Sequence, residues 1–297
     1  MSAFDRFGPD WPHRDRSRVV RAGGLAWHVQ SFGDGGPRLL LLHGTGASTH
    51  SWRDLAPLLA RRARVLVPDL PGHGATEQAR GDGMRLPGMS RRLASLCEAE
   101  GFAPDAIVGH SAGAAVAIAT AIEGYLAPRL IVGLNAALQP MQGYALFSPL
   151  AKALFVNPLV PSLFSRLGAR EGTVRDLLER TGSHLDERGV DLYRRLFADP
   201  DHVRGALGMM ASWDLEWLQR RLPGLRTHLV LVTATDDGTV PARDAPSHVA
   251  RVRDGRLVEL ADGGHLVHEV APDRVARLVL DEMAEAGLPF AAEVTIS

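Results

Sequence analysis

Ser111 stands in Gly109-His110-Ser111-Ala112-Gly113, with the β-branched pair Ile107-Val108 leading in and an alanine-rich helical stretch leading out. A strand, a sharp turn and a helix in that order make a nucleophile elbow, in which a strained backbone lifts the central hydroxyl clear of the chain. The residues two before and two after must be nearly free of side chain, and Gly109 and Gly113 meet that need. The helix that follows offers N–H groups and a positive dipole end to negative charge forming nearby. A glycine-bracketed turn with an idle serine would have the same five letters, so the other parts of the chemistry must be sought along the chain.

A serine hydroxyl is a weak nucleophile until a base takes its proton, and the base needs a partner that fixes its tautomer and steadies its positive form. Both occur downstream, in the order Asp, His. Thr235-Asp236-Asp237-Gly238-Thr239-Val240-Pro241 follows the apolar run His228–Thr233, and Gly263-Gly264-His265 follows Arg256–Leu260. Asp236 and Asp237 are both candidates for the acid. For the base, His265 is preferred to His268 because it directly follows a glycine pair, whereas His268 opens the next turn and reads as a helix-end or cleft-lining side chain. An acyl-transfer site also needs a pocket for the oxyanion. His43-Gly44-Thr45-Gly46 closes the apolar run Arg38–Leu42, and the expected donors are the backbone N–H groups of Thr45 and Ala112. His43, Asp69 and His73 read as braces of these loops.

These residues must be carried by strand ends. Strand-like runs occur around Val19-Val20, at Ala26–Phe32, Arg38–Leu42, Val65–Val67, Ala106–His110, Leu130–Leu134, His228–Thr233 and Arg256–Leu260. The first two, joined at Gly23-Gly24, predict an antiparallel hairpin. Helical spacing falls between the later strands, over Ser51–Arg62, Leu86–Glu100 and Arg274–Ala286. Strands alternating with helices predict a doubly wound, mostly parallel α/β sheet whose sites gather at the carboxyl ends of the strands. From about Ala137 to Leu222 the alternation breaks, with helical patterns at Pro149–Val156, Thr173–Arg180, Gly189–Phe197 and His202–Leu218. The organisation expected is a core of residues 1–136 and 223–297 interrupted by a helical cap of residues 137–222.

Composition narrows the function classes. Among 297 residues the net charge is −1, so no global field recruits nucleic acid or anionic lipid. The one lysine, Lys152, follows no glycine-rich loop, which excludes a Walker-type phosphate cradle. The single cysteine, Cys97, lies in an apolar-periodic segment and reads as a small buried hydrophobe, with no internal disulfide possible. The histidines lack paired ligand spacing, so neither a metal site nor a cofactor is expected. Neither a signal peptide nor a membrane span is legible.

The His-Gly loop, the elbow, and Asp then His at successive strand ends resemble the α/β-hydrolase superfamily over nearly the whole chain. The resemblance implies an eight-stranded, mostly parallel sheet with a helical cap. It selects Asp237 as the acid, four residues before Pro241 in a D-x-x-V-P ending, giving Ser111, Asp237 and His265 as the expected triad. Dehalogenases and epoxide hydrolases of this fold carry aspartate at the elbow, so serine implies an acyl-enzyme. Peroxidase-type members have methionine where Ala112 stands.

A finer resemblance links Asp10–Ser17, His43–Trp52, Gly109–Ala115, Phe147–Lys152, Asn157–Pro161 and Met209–Leu215 to the α/β-hydrolases of bacteriochlorophyll synthesis known as magnesium-chelatase accessory proteins. It implies a place in photosynthetic-pigment synthesis, in a cytoplasm facing pigment membranes, with a magnesium chelatase subunit as partner. The apolar cap residues Phe147, Phe155, Phe164, Met209, Met210 and Trp213 are then candidate walls for an apolar ester or a tetrapyrrole precursor. Ordinary packing of cap on core would use the same residues. Arg166, or the Arg194-Arg195 pair, would meet carboxylates at the rim. Three functions follow: a serine esterase of the pigment pathway, a non-catalytic protein binding a porphyrin or the chelatase, and a general esterase of apolar esters.

Overall fold

The computed structural model describes residues 3–140, 161, 162, 165, 171–288 and 290. One eight-stranded sheet runs in the order β1-β2-β4-β3-β5-β6-β7-β8. The strands are β1 (Ser17–Ala22), β2 (Leu25–Phe32), β3 (Arg38–Leu42), β4 (Arg64–Pro68), β5 (Ala106–His110), β6 (Leu130–Leu134), β7 (His228–Ala234) and β8 (Gly255–Leu260). β1 pairs antiparallel with β2, and β2 antiparallel with β4. All later pairings are parallel. The fold class expected from the alternation is therefore the one observed.

Continuous apolar sequence in β3, β5, β6 and β7 follows from helices covering both faces, which leaves no strand position for water. The helices are α1 (Leu55–Leu59), α2 (Leu86–Ala99), α3 (Ala112–Ile122), α4 (Glu171–Glu179), α5 (Glu187–Phe197), α6 (Pro200–Ser212), α7 (Leu215–Arg221), α8 (Ala245–Val249), α9 (Val267–Val270) and α10 (Pro272–Glu285). Side chains alternate across the sheet: Leu40, Leu42 and Ile107 join Leu93, Val116 and Ile118 on one face. Leu39, Leu41 and Val108 join Leu55, Val275 and Val279 on the other. Each such leucine contributes about 1.5–3 kcal/mol by leaving water, and a slip of one residue would exchange the two faces.

Local chemistry sets the ends of the helices. Ser51–Arg62, expected as one helix, is a 3₁₀ turn at Thr49–Trp52 followed by the short α1. Pro57 explains the break, because it has no N–H to bond back toward Arg53 and is tolerated only in a first turn. The single helix expected over His202–Leu218 is likewise two. Trp213 is extended, and the Asp214 carboxylate caps α7 by accepting from Trp217 N at 2.8 Å. Between β6 and β7 the described residues include helices α4 to α7 and no strand. Cys97 is buried on α2, and burial pushes its thiol up to about 12, so it is no nucleophile near neutrality. No helix among the described residues is long and apolar enough to cross a membrane.

Candidate active site

Ser111 has φ 49° and ψ −112°, an unusual conformation for a residue with a side chain. The turn is held from both sides: Ser111 N donates to Leu134 O at 2.9 Å, and Ser111 O accepts from Ala137 N at 3.2 Å. Close approach explains the flanking glycines. A Cβ on Gly113 would fall 2.1 Å from Leu42 O, and one on Gly109 would fall 2.5 Å from the Ala114 backbone. Ala112 opens α3, so its N–H is among those no helical carbonyl can reach.

β7 and β8 deliver the acid and the imidazole. Asp237 Oδ2 lies 2.8 Å from His265 Nδ1, and both side chains are nearly shut off from solvent. Asp237 Oδ1 accepts from Thr239 N at 2.7 Å and Val240 N at 2.9 Å. A carboxylate only accepts, so the ring proton sits on Nδ1 and Nε2 keeps its lone pair. Asp236 faces elsewhere, accepting from Gly264 N at 2.9 Å and Gly263 N at 3.2 Å, and thereby braces the loop that carries His265.

Two residues that sequence reading left out complete this brace. Asn135, in the left-handed region at φ 46°, donates from Nδ2 to Gly264 O at 2.8 Å and His265 O at 2.9 Å. Its Oδ1 accepts from Ala234 N at 2.9 Å, which ties the ends of β6 and β7 to the histidine loop. His110 donates from Nε2 to the same His265 carbonyl at 2.9 Å. The only sequence signal for Asn135 is its place just past a buried strand, where asparagine tolerates positive φ.

The His43–Gly46 loop runs against the elbow. A Cβ on Gly44 would stand 2.7 Å from His110 Nδ1 and 3.2 Å from Ser111 Cβ, so glycine is required there. His43 donates from Nδ1 to Gly44 O at 2.8 Å and accepts at Nε2 from Leu70 N at 2.8 Å. Asp69 accepts from Thr49 N at 2.7 Å and Ala75 N at 2.8 Å, with His28 Nδ1 at 2.7 Å. Burial alone would raise the Asp69 pKa, but the neighbouring His28 ring and these hydrogen bonds outweigh it and hold the carboxyl below its usual range. The Thr45 hydroxyl donates to Met209 Sδ at 3.0 Å.

His268 is buried away from Asp237. Its Nε2 lies 2.8 Å from Ser51 Oγ, which donates to Glu269 Oε1 at 2.6 Å, and its ring stacks on His110 at 4.4 Å and Trp52 at 4.6 Å. Glu269 also accepts from Tyr193 of α5 at 2.7 Å and pairs with Arg53.

Burial pushes the pKa of His268 and His50 down to about 3 and that of His202 down to about 4, from an ordinary value of 6.5. Such rings stay neutral in the fold while the unfolded chain takes up protons below pH 6.5. Their stabilisation is thus full above about pH 6.5 and lost as the pH falls toward the folded values, by up to about 1.4 kcal/mol per pH unit for each ring. The melting temperature is expected to fall steadily between pH 6.5 and 5, where carboxylates are still ionised. A melting temperature unchanged across that interval would show these rings to be protonated in the fold.

Of the candidate wall residues, Met209 is fully buried at the Thr45 hydroxyl, Met210 is 43% exposed, and Trp213 packs part-buried against the main core. Phe147, Phe155, Phe164 and Arg166 lie outside the described residues. Arg194 and Arg195, the candidates for a rim, meet carboxylates of the protein itself. Arg194 bonds Asp191 of its own helix at 2.5 Å, and Arg195 bonds Asp191 at 2.6 Å and Asp10 at 2.7 Å, so Arg195 ties α5 to the N-terminal segment. Nothing in the local sequence announced Asp10 as a partner.

Residues 39–278 match the model of the alpha/beta hydrolase family. The chain is 40% identical over 275 residues to the magnesium-chelatase 30 kDa subunit of Rhodobacter capsulatus, covering 92% of this chain and 96% of that protein. It is 28% identical over 281 residues to the dihydrolipoyllysine-residue acetyltransferase component of the acetoin cleaving system of Pseudomonas putida, covering 92% of this chain and 70% of that one. An alpha/beta hydrolase fold protein from Burkholderia ambifaria superposes with a TM-score of 0.75 at 24% identity, over 90% of this chain and 98% of that one.

Proposed function

The chain belongs to the alpha/beta hydrolase family, and on that premise we propose that it is a serine esterase using Ser111, Asp237 and His265 on an apolar ester of the tetrapyrrole pathway. The observation that carries the reading is the pair of 2.8 Å contact between Asp237 and His265 and left-handed Ser111 at the elbow. Ser111 Oγ attacks the ester carbonyl while His265 Nε2 takes its proton. The Thr45 and Ala112 N–H groups hold the oxyanion. The imidazolium returns its proton to the departing alcohol, leaving an acyl-serine that water, deprotonated by the same ring, then hydrolyses.

The tetrapyrrole assignment draws on the kinship to the magnesium-chelatase 30 kDa subunit. On this reading residues 137–222, to which helices α4–α7 belong, serve as a cap over the site. The same kinship favours a second reading, in which the protein binds a chelatase subunit or porphyrin and hydrolyses nothing. A fluorophosphonate probe separates them. Labelling of Ser111 that is blocked by magnesium-protoporphyrin monomethyl ester is expected. Labelling without protection would leave an esterase of other apolar esters, and absence of labelling would favour the binding protein.

A further inference from the structure

A cavity of about 200 Å³ opens beyond the carboxyl ends of β6 and β7, walled by Ala136, Leu138, Leu231 and Val240. None of its side chains takes part in the chemistry above, yet its lining touches the reacting groups through the backbone. Ala137 donates to Ser111 O at 3.2 Å, and Thr239 and Val240 donate to Asp237 Oδ1.

Two polar side chains of that lining each carry an unexplained atom. Thr233 Oγ1 and His248 Nδ1 are buried, on residues only 5% and 3% exposed, and neither has a hydrogen-bond partner among the described residues. Leaving a buried polar group unpaired costs about 1–3 kcal/mol, and such groups are otherwise nearly always satisfied. Arg243, exposed on the same lining, pairs with no carboxylate among the described residues. Asp244 lines the cavity as well, and its Oδ2 accepts from Nε2 of Gln139, another lining residue, at 2.5 Å, which leaves Arg243 as the cation there without a paired carboxylate among the described residues.

We propose that this cavity binds the carboxylate end of a short apolar chain, with Thr233 and His248 donating to its oxygens and Arg243 balancing its charge at the mouth. A hydroxyl and a neutral imidazole each have one proton to donate, and a carboxylate offers acceptor sites for both and for a guanidinium. The apolar wall takes the chain. The volume equals that of roughly six or seven liquid waters, which suits the roughly eight heavy atoms of a six-carbon acid. As a substrate subsite the cavity rests on the esterase reading, whereas its occupancy can be measured without catalysis. An acidic side arm of a larger ligand and a free short-chain acid share this chemistry.

The test is titration calorimetry of hexanoate and of neutral hexanamide into the full-length Ser111→Ala protein. Hexanoate is expected to bind at least about tenfold more tightly than the amide, and Arg243→Gln and Thr233→Val each to weaken it by about tenfold. Equal binding of acid and amide, or an Arg243→Gln protein that binds hexanoate unchanged, would overturn the proposal. Should Thr233→Val not fold, the exposed Arg243 still decides the outcome. Displacement of hexanoate by deuteroporphyrin, a dicarboxylate, would assign the cavity to a side arm, and simultaneous binding would assign it to a free acid. Hexanoate bound by a protein whose Ser111 resists the phosphonate would refute the esterase and leave the carboxylate site standing.

Discussion

Ser111→Ala is expected to lower the hydrolysis of a short activated ester such as p-nitrophenyl acetate by roughly 10³- to 10⁶-fold in kcat, with the melting temperature nearly unchanged. The hydroxyl forms and breaks the covalent bond in the proposed reaction, so nothing else in the site can substitute for it. The backbone there is strained at φ 49° with serine, and alanine inherits the same conformation. The hydrogen bonds that hold the elbow are made by the Ser111 N and O atoms and survive the change. What remains should be the small acceleration due to the oxyanion donors, roughly 10³-fold over water in related triads. Initial rates on protein freed of host esterases, with circular dichroism as the folding control, check the result. Undiminished activity in that protein would mean that Ser111 is not the nucleophile.

The elements were legible because each has a local cause. Leu39–Leu42 and Ile131–Val132 are apolar without interruption, which only a strand buried on both faces accommodates. The elbow glycines could be read because backbone approaches within about 3 Å leave room for no side chain, and that constraint falls on neighbouring positions. Boundaries were less legible where one residue decides them, as Pro57 and Asp214 do. What the sequence could not show is the brace behind the imidazole. Asn135, His110, Asp236 and His265 lie on four different strand ends or loops, and their meeting depends on how β5 to β8 are stacked in register. The pairing of Arg195 with Asp10 is hidden for the same reason, since 185 positions separate the partners.

The brace also explains why two adjacent carboxylates have different work. Asp236 and Asp237 follow the same strand, and both face the Gly263–His265 loop, but one holds its backbone and the other its ring. Sequence reading had to choose between them by a family spacing. The hydrogen bonds give each a separate prediction.

Asp237→Asn is expected to lower kcat by roughly 10⁴-fold, whereas Asp236→Asn lowers it less than about tenfold. An asparagine at 237 can keep its oxygen on Thr239 N and Val240 N, now 2.7 and 2.9 Å from Oδ1. Its amide nitrogen then faces His265 Nδ1, and two donors cannot share that gap. The ring therefore moves its proton to Nε2, the atom that must receive the proton of Ser111, and the base is present in the wrong tautomer. At 236 the loss is milder: an amide oxygen still accepts from one of the Gly263 and Gly264 N–H groups, and one hydrogen bond, about 0.5–1.5 kcal/mol, is given up in the brace. That loosens the loop without touching the tautomer. Steady-state kinetics of the two variants on one ester, compared as kcat rather than KM, tests the assignment. A dead Asp236→Asn enzyme beside an active Asp237→Asn enzyme would reverse the roles of the two residues.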